Sequence, residues 1–199
     1  VYKRQMEGSV PFPGHLTKLG ILPGIKVDKG AKQLANTENE KITDGLDGLR
    51  DRLKEYYELG ARFAKWRAVI TIGENMPTSY CISTNAHALA RYAALCQEQG
   101  LVPIVEPEIL MDGTHTIDES YQLTTETLYN VFYELVSQGV ELEGIVLKPN
   151  MVLSGYDCSD QASVEQVAEM TVDCFLNTVP AVVPGICLLY TSPSPRDGL

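Results

Sequence analysis

The chain has 199 residues and a formal net charge of −10 at pH 7. That length supports one domain with a sizeable core. Its acidic balance argues against nucleic acid and membrane surfaces as partners.

Strand-like and helix-like segments alternate along the chain. The first strand reads from Gly24 through Ile25-Lys26-Val27-Asp28 to Lys29, then runs into a long polar loop. A helix over residues 43–60 places apolar side chains at 46, 49, 53, 56 and 57 on one stripe, with Thr43 or Asp44 as cap and Gly60 as stop. The second strand runs from Arg62 to Ile70. The helix after it, residues 83–99, carries Leu89, Tyr92, Ala93 and Cys96 and ends at Gly100. The third strand, Leu101 to Glu108, leads to a helix over 119–138 with Leu128, Val131, Phe132 and Leu135, stopped by Gly139. The fourth strand reads from Leu142 to Met151. A helix from Ser163 to about Asn177 uses Val164, Val167, Thr171, Cys174 and Phe175, and a fifth strand starts near residues 182–189.

Strand, helix, glycine, strand is the grammar of right-handed parallel βαβ units. The strands are apolar on both faces except at their ends, as in a parallel sheet covered by helices. No glycine-rich phosphate loop follows the first strand, which disfavours a dinucleotide-binding sheet. Lys26, Lys65, Glu106 and Lys148 lie 39, 41 and 42 residues apart, but the helices between them share no signature, so a repeat array is rejected. The expected fold is α/β, a partial (β/α)₈ TIM barrel of about four complete βα units plus a truncated fifth strand. A complete barrel usually takes about 250 residues.

The strand ends carry the chemistry. Residues two apart on a strand share a face, which pairs Lys26 with Asp28, Lys65 with Arg67, Glu106 with Glu108, and Lys148 with Asn150. One such pair is ordinary surface chemistry; four in succession suggest one site. Lys148 is the most telling, because lysine is among the residues least often buried and here closes an apolar run. Trp66 points away from Lys65 and Arg67 and is expected to pack against helices. Lys29 and Lys32 read as surface charge. His15, His87 and His115 lack metal-ligand spacing, so no metal site is assigned.

Four segments carry a resemblance: Gly24-Ile25-Lys26-Val27-Asp28-Lys29-Gly30, Phe63-Ala64-Lys65-Trp66-Arg67, Ile104-Val105-Glu106-Pro107-Glu108-Ile109-Leu110, and Leu142-Glu143-Gly144 through Leu147-Lys148-Pro149-Asn150-Met151. In order and spacing they resemble class I fructose-bisphosphate aldolase over roughly residues 7 to 186. The resemblance implies a (β/α)₈ barrel that cleaves fructose 1,6-bisphosphate to dihydroxyacetone phosphate and glyceraldehyde 3-phosphate, in glycolysis and gluconeogenesis, through a lysine Schiff base and without a cofactor or metal. By position it implies that Lys148 forms the Schiff base and Glu106 shuttles protons. Lys65 is assigned with these two as catalytic, Lys26, Arg67 and Glu108 as substrate-binding, and Asp28 and Asn150 as lining. Asn36 and Glu38-Asn39 stand where the family usually has Gly and Asn-Gly, and Ile145-Val146 where it has a Thr-Leu pair.

The residue types suit that chemistry. A free lysine amine is almost wholly protonated at neutral pH, so a nucleophilic one needs burial or a neighbouring cation. Losing water from the carbinolamine requires an acid within hydrogen-bond reach, and Glu106 on the adjacent strand fits. Arginine suits bidentate phosphate contact. Two alternatives stay open: another Schiff-base lyase or transaldolase on a similar barrel, and a non-catalytic scaffold.

The resemblance implies a homotetramer and, as a further partner class, cytoskeletal proteins. Five cysteines without CxxC spacing read as reduced cytosolic thiols, so a cytoplasmic location is expected, with a plastid leader ahead of Val1 left open. Residues 1–5 and 188–199 read as foreign, adapter-like sequence flanking a barrel segment of residues 6–187. The family's first-strand aspartate, later serine and arginine phosphate ligands and C-terminal tyrosine have no counterpart here, and the chain alone is expected to be inactive.

Overall fold

The computed structural model describes residues 10–188 and the short strand Met6–Glu7. Residues 1–5 and all but Leu188 of the segment 188–199, both read as foreign, lie outside the described residues. The elements are β1 (Met6–Glu7), β2 (Val10–Pro11), α1 (Phe12–Lys18), β3 (Gly24–Lys26), β4 (Ala31–Gln33), β5 (Lys41–Thr43), α2 (Leu49–Glu58), β6 (Phe63–Ile70), α3 (Ser79–Glu98), β7 (Val102–Ile109), α4 (Ile117–Ser137), β8 (Val146–Leu147) and α5 (Val164–Thr178).

The central sheet has the order β3-β6-β7-β8, every pairing parallel. A parallel bridge from Leu147 to Ile186 starts a fifth strand, as the sequence predicts. Helices α2 to α5 cover one face. On β6 the residues Ala64, Trp66, Ala68 and Ile70 are buried against them while Lys65 and Arg67 point to the other side. Trp66 stacks on Tyr92 of α3 with ring centroids 5.5 Å apart. Leu53 and Tyr56 of α2, Leu89 and Cys96 of α3, Leu128 and Leu135 of α4, and Cys174 of α5 complete one continuous core.

Several local expectations change. The helix predicted from Thr43 starts at Leu49, after Gly48 at φ 63°, because Thr43 belongs to β5 and its hydroxyl donates to Arg67 O at 2.7 Å. The polar loop after β3 folds into the β4–β5 hairpin. Its turn holds Asn36 at φ 61°, a left-handed conformation that glycine favours and asparagine tolerates. Finally, Leu142–Gly144 form a 3₁₀ turn, which leaves β8 only two residues long.

Helix starts follow their caps. Thr78 accepts from Cys81 N at 3.2 Å to open α3, four residues earlier than Ser83, and the buried Glu40 carboxylate accepts from Thr78 N and Oγ1 at 2.6 and 2.7 Å. Reciprocal capping boxes, Thr116 with Glu119 and Ser163 with Gln166, open α4 and α5.

The loops following β7 and β8 are laced together beyond the C-terminal end of the sheet. Gly155 N donates to His115 O at 2.8 Å, Tyr156 N to Met111 O at 2.9 Å and Asp157 N to Gly113 O at 2.9 Å. A Cβ on Gly155 would lie 2.2 Å from Gly113 O, so only glycine fits there.

Candidate active site

On the face of the sheet away from the helices, β6, β7 and the end of β8 enclose a cavity of about 330 Å³. Lys65, Arg67, Glu106, Glu108, Lys148 and Asn150 line it with Pro149, Met151 and Leu188. Six of the eight residues singled out from the sequence therefore meet in one place. Strand register explains the convergence. Arg67 lies level with Glu106, and Lys65 with Ile104, which is level in turn with Val146. Lys148 follows one step beyond the last paired residues of β8, on a level with Glu106.

Two cations on β6 thus reach diagonally to carboxylates two residues further along on β7, the geometry in which long side chains meet across a sheet. Lys65 Nζ lies 2.5 Å from Glu106 Oε2, and Arg67 Nε pairs with Glu108 Oε2. From the opposite flank, Lys148 Nζ pairs with Glu106 Oε1. Glu106 is only 2% exposed and is held by an ammonium on each oxygen. The Lys148 side chain is 11% exposed and that of Lys65 26%, so solvent access falls toward β8. Three cations stand against two carboxylates, which leaves the cavity a positive excess inside an acidic chain.

Lys26 and Asp28 are not among the cavity residues. Lys26 sits level with Lys65 on the edge strand β3, but β3 ends at Lys26, short of the expected Lys29, and its exposed ammonium turns to Asp28 Oδ1 just beyond the strand end. The Asp28 carboxylate is buried, and also accepts from Gly30 N at 3.1 Å and Arg67 N at 3.4 Å. Its part is to tie the end of β3 to β6. Asn150 lines the cavity and is fully engaged: Oδ1 accepts from Ile109 N, while Nδ2 donates to Thr124 Oγ1 and Met151 O, each at 3.0 Å.

The sequence reading missed Met151 and Leu188 in the lining, and the buried hydroxyls of Ser120, Thr124 and Thr171 behind it. Periodicity places Thr171 on an apolar helix stripe, whereas its hydroxyl accepts from Val152 N at 3.0 Å. The histidines lie elsewhere: His87 Nδ1 is 3.0 Å from Glu134 Oε2 on the helical layer, and His115 is buried in the loop lacing, where desolvation lowers its imidazole below the ordinary histidine range. Among the described residues no group of three or more His, Cys, Asp or Glu side chains is arranged to hold a metal ion. The five cysteines are unpaired, and burial raises the Cys81 and Cys96 thiols to about 11 and about 12.

Comparison with known proteins supplies the family. The family model for class-I fructose-bisphosphate aldolase matches residues 1–197. The chain belongs to the class I fructose-bisphosphate aldolases. It is 59% identical over 187 residues to a probable class 1 aldolase of Xanthomonas axonopodis pv. citri, covering 94% of this chain and 56% of that protein. Cytosolic fructose-bisphosphate aldolase 6 of Arabidopsis thaliana is 52% identical over 197 residues, covering 99% and 54%. Among solved structures, the Plasmodium falciparum aldolase in a complex with TRAP and a small-molecule inhibitor superposes with a TM-score of 0.91 at 47% identity, over 94% of this chain and 55% of that one. The chain spans about half the length of the curated aldolases it matches. Its four parallel strands and covering helices are the corresponding part of the aldolase barrel.

Proposed function

We propose that this segment supplies the imine-forming centre of an enzyme that reversibly cleaves fructose 1,6-bisphosphate to dihydroxyacetone phosphate and glyceraldehyde 3-phosphate. The observation that carries the reading is Glu106, a buried carboxylate shared between Lys65 and Lys148. A carboxylate in that position can take a proton from the Lys148 ammonium and free its lone pair to attack the substrate ketone. The same proton can then go to the carbinolamine hydroxyl, which departs as water and leaves a protonated imine on Lys148. That cation withdraws electrons from the carbon–carbon bond two atoms away; Glu106, a carboxylate again, takes the proton of the hydroxyl on the departing carbon, and the bond breaks to an enamine and a free aldehyde. Protonation of the enamine and return of water release the second triose phosphate. Lys65 keeps a positive charge beside Glu106 throughout, and Arg67, held by Glu108, faces the cavity as a ligand for a phosphate or sugar oxygen.

Lys26 is assigned to the phosphate side of the substrate. Its support is its level with Lys65 on β3, reached once the ammonium leaves Asp28. The barrel segment is taken as residues 6–187. We place the enzyme in the cytosol, following the cytosolic isozyme of Arabidopsis thaliana and the cytoplasmic isozyme of Pisum sativum to which it is similar, and take the homotetramer from the family resemblance alone. Plastid accumulation of the tagged gene product would contradict the location, and a sedimentation mass other than four subunits would contradict the assembly.

The test uses a chimera in which residues 6–187 replace the matching segment of the full-length Xanthomonas aldolase. Borohydride reduction in the presence of dihydroxyacetone phosphate is expected to add one triose phosphate per chain at Lys148, and Lys148→Met to abolish it. An unlabelled parent chimera, or label on another lysine, rejects the reading. Comparing turnover of fructose and sedoheptulose bisphosphates separates it from a transaldolase-like activity.

A further inference from the structure

Lys148 stands where the regular sheet stops. Lys148 N makes the last ladder bond, to Val105 O at 2.8 Å, and Pro107, the next β7 residue facing β8, has no N–H to give to Lys148 O. The nucleophile therefore leaves a strand of only two residues, Val146–Leu147, with no further backbone pairing toward β7. Left to itself, such an end would fray, and the distance from Nζ to Glu106 would vary with it.

Side chains replace the missing ladder. Asn150 Oδ1 accepts from Ile109 N, the donor at the end of β7 that a longer β8 would have satisfied, and its amide donates to Thr124 Oγ1 on α4. Two residues on, Val152 N donates to Thr171 Oγ1 of α5 at 3.0 Å, and Leu153 N to Ser120 Oγ of α4 at 3.2 Å. Asn150 is 9% exposed, Thr124 1%, Ser120 2% and Thr171 5%. These are dry hydrogen bonds, costly to leave half made. Among them only Asn150 reaches across to β7, the strand that carries Glu106.

We propose that Asn150 is a positioning residue for the imine step: its side chain acts as the next rung between β8 and β7 and fixes Lys148 against Glu106. The inference rests on the catalytic reading of Lys148 given above. Asn150→Asp keeps the shape and the acceptor for Ile109 N, but turns a carboxylate oxygen toward Met151 O, a carbonyl it can only repel. Thr124→Val removes the acceptor for the Asn150 amide and leaves the bond to β7.

In the same full-length chimera, Asn150→Asp is expected to lower kcat about 100-fold and Thr124→Val about 3- to 10-fold, with KM within threefold of the parent, since a misplacement near 1 Å costs about that much. The rate of borohydride trapping per site falls in parallel, while the number of sites finally trapped stays at one per chain. A loss of activity that follows only the number of trappable sites is a folding defect and overturns the proposal, as does unchanged kcat in Thr124→Val should Asn150→Asp not fold. A parent chimera that traps no triose phosphate defeats the aldolase reading and this one together. A parent that traps normally, with variants indistinguishable from it, defeats this one alone.

Discussion

Glu106 and Lys26 both come from charged pairs at strand ends, yet the sheet treats them differently. Glu106, on β7, is 2% exposed and receives an ammonium from the strand on each side. Lys26, the last residue of β3, has a described neighbour strand on one side only and turns to Asp28 two residues further along the chain, with its side chain 53% exposed. The difference is one of flanks. A strand-end charge is drawn into the site when a parallel neighbour offers the opposite charge at diagonal register. Where the neighbour offers Lys65 at the same level, the lysine turns to the carboxylate just past its own strand end instead.

Removing the shared carboxylate is the most severe way to break this contrast. Glu106→Gln in the full-length chimera leaves two partly buried ammoniums without their anion. We expect kcat/KM to fall by about 10³-fold and stability by about 3 kcal/mol, read by steady-state kinetics and urea unfolding. Full activity in this variant would remove Glu106 from the proton path. The β3 end should respond far less. Asp28→Asn is expected to lower stability by roughly 1–2 kcal/mol, since a buried acceptor of Gly30 N and Arg67 N loses its charge, while Lys26→Ala raises KM by less than about tenfold with kcat unchanged. A loss of kcat in Lys26→Ala as large as that in Glu106→Gln would show that the edge lysine belongs to the chemistry after all.

Much of this was legible before any coordinates. Alternation along β6 and β7 assigns Lys65, Arg67, Glu106 and Glu108 to one face and Trp66 to the other, because side-chain direction on a strand follows from parity alone. The ends of the helices were less accessible. Thr43 and Thr78 are equally good caps by type, and only the pairing of β5 with β4, together with the buried Glu40, decides that Thr43 serves a strand and Thr78 opens α3. The hydroxyls of Ser120, Thr124 and Thr171 were hidden for a related reason. Small polar residues inside an amphipathic stripe look like tolerated exceptions until the loop whose amides they accept is in place. Lys26 marks the remaining limit: register puts it level with Lys65, but register does not say which way a flexible amine turns.

The lacing of the two loops beyond the sheet bears on how such an enzyme could be re-engineered. With Gly155 pressed on the carbonyl of Gly113, neither loop has a shape of its own, and each is the mould for the other. Transplanting the segment after β8 from a distant barrel would carry in an outline cut for a different partner. Residues 110–116 and 152–158 form one exchangeable cassette, and directed evolution of substrate preference at this rim should diversify them as a unit.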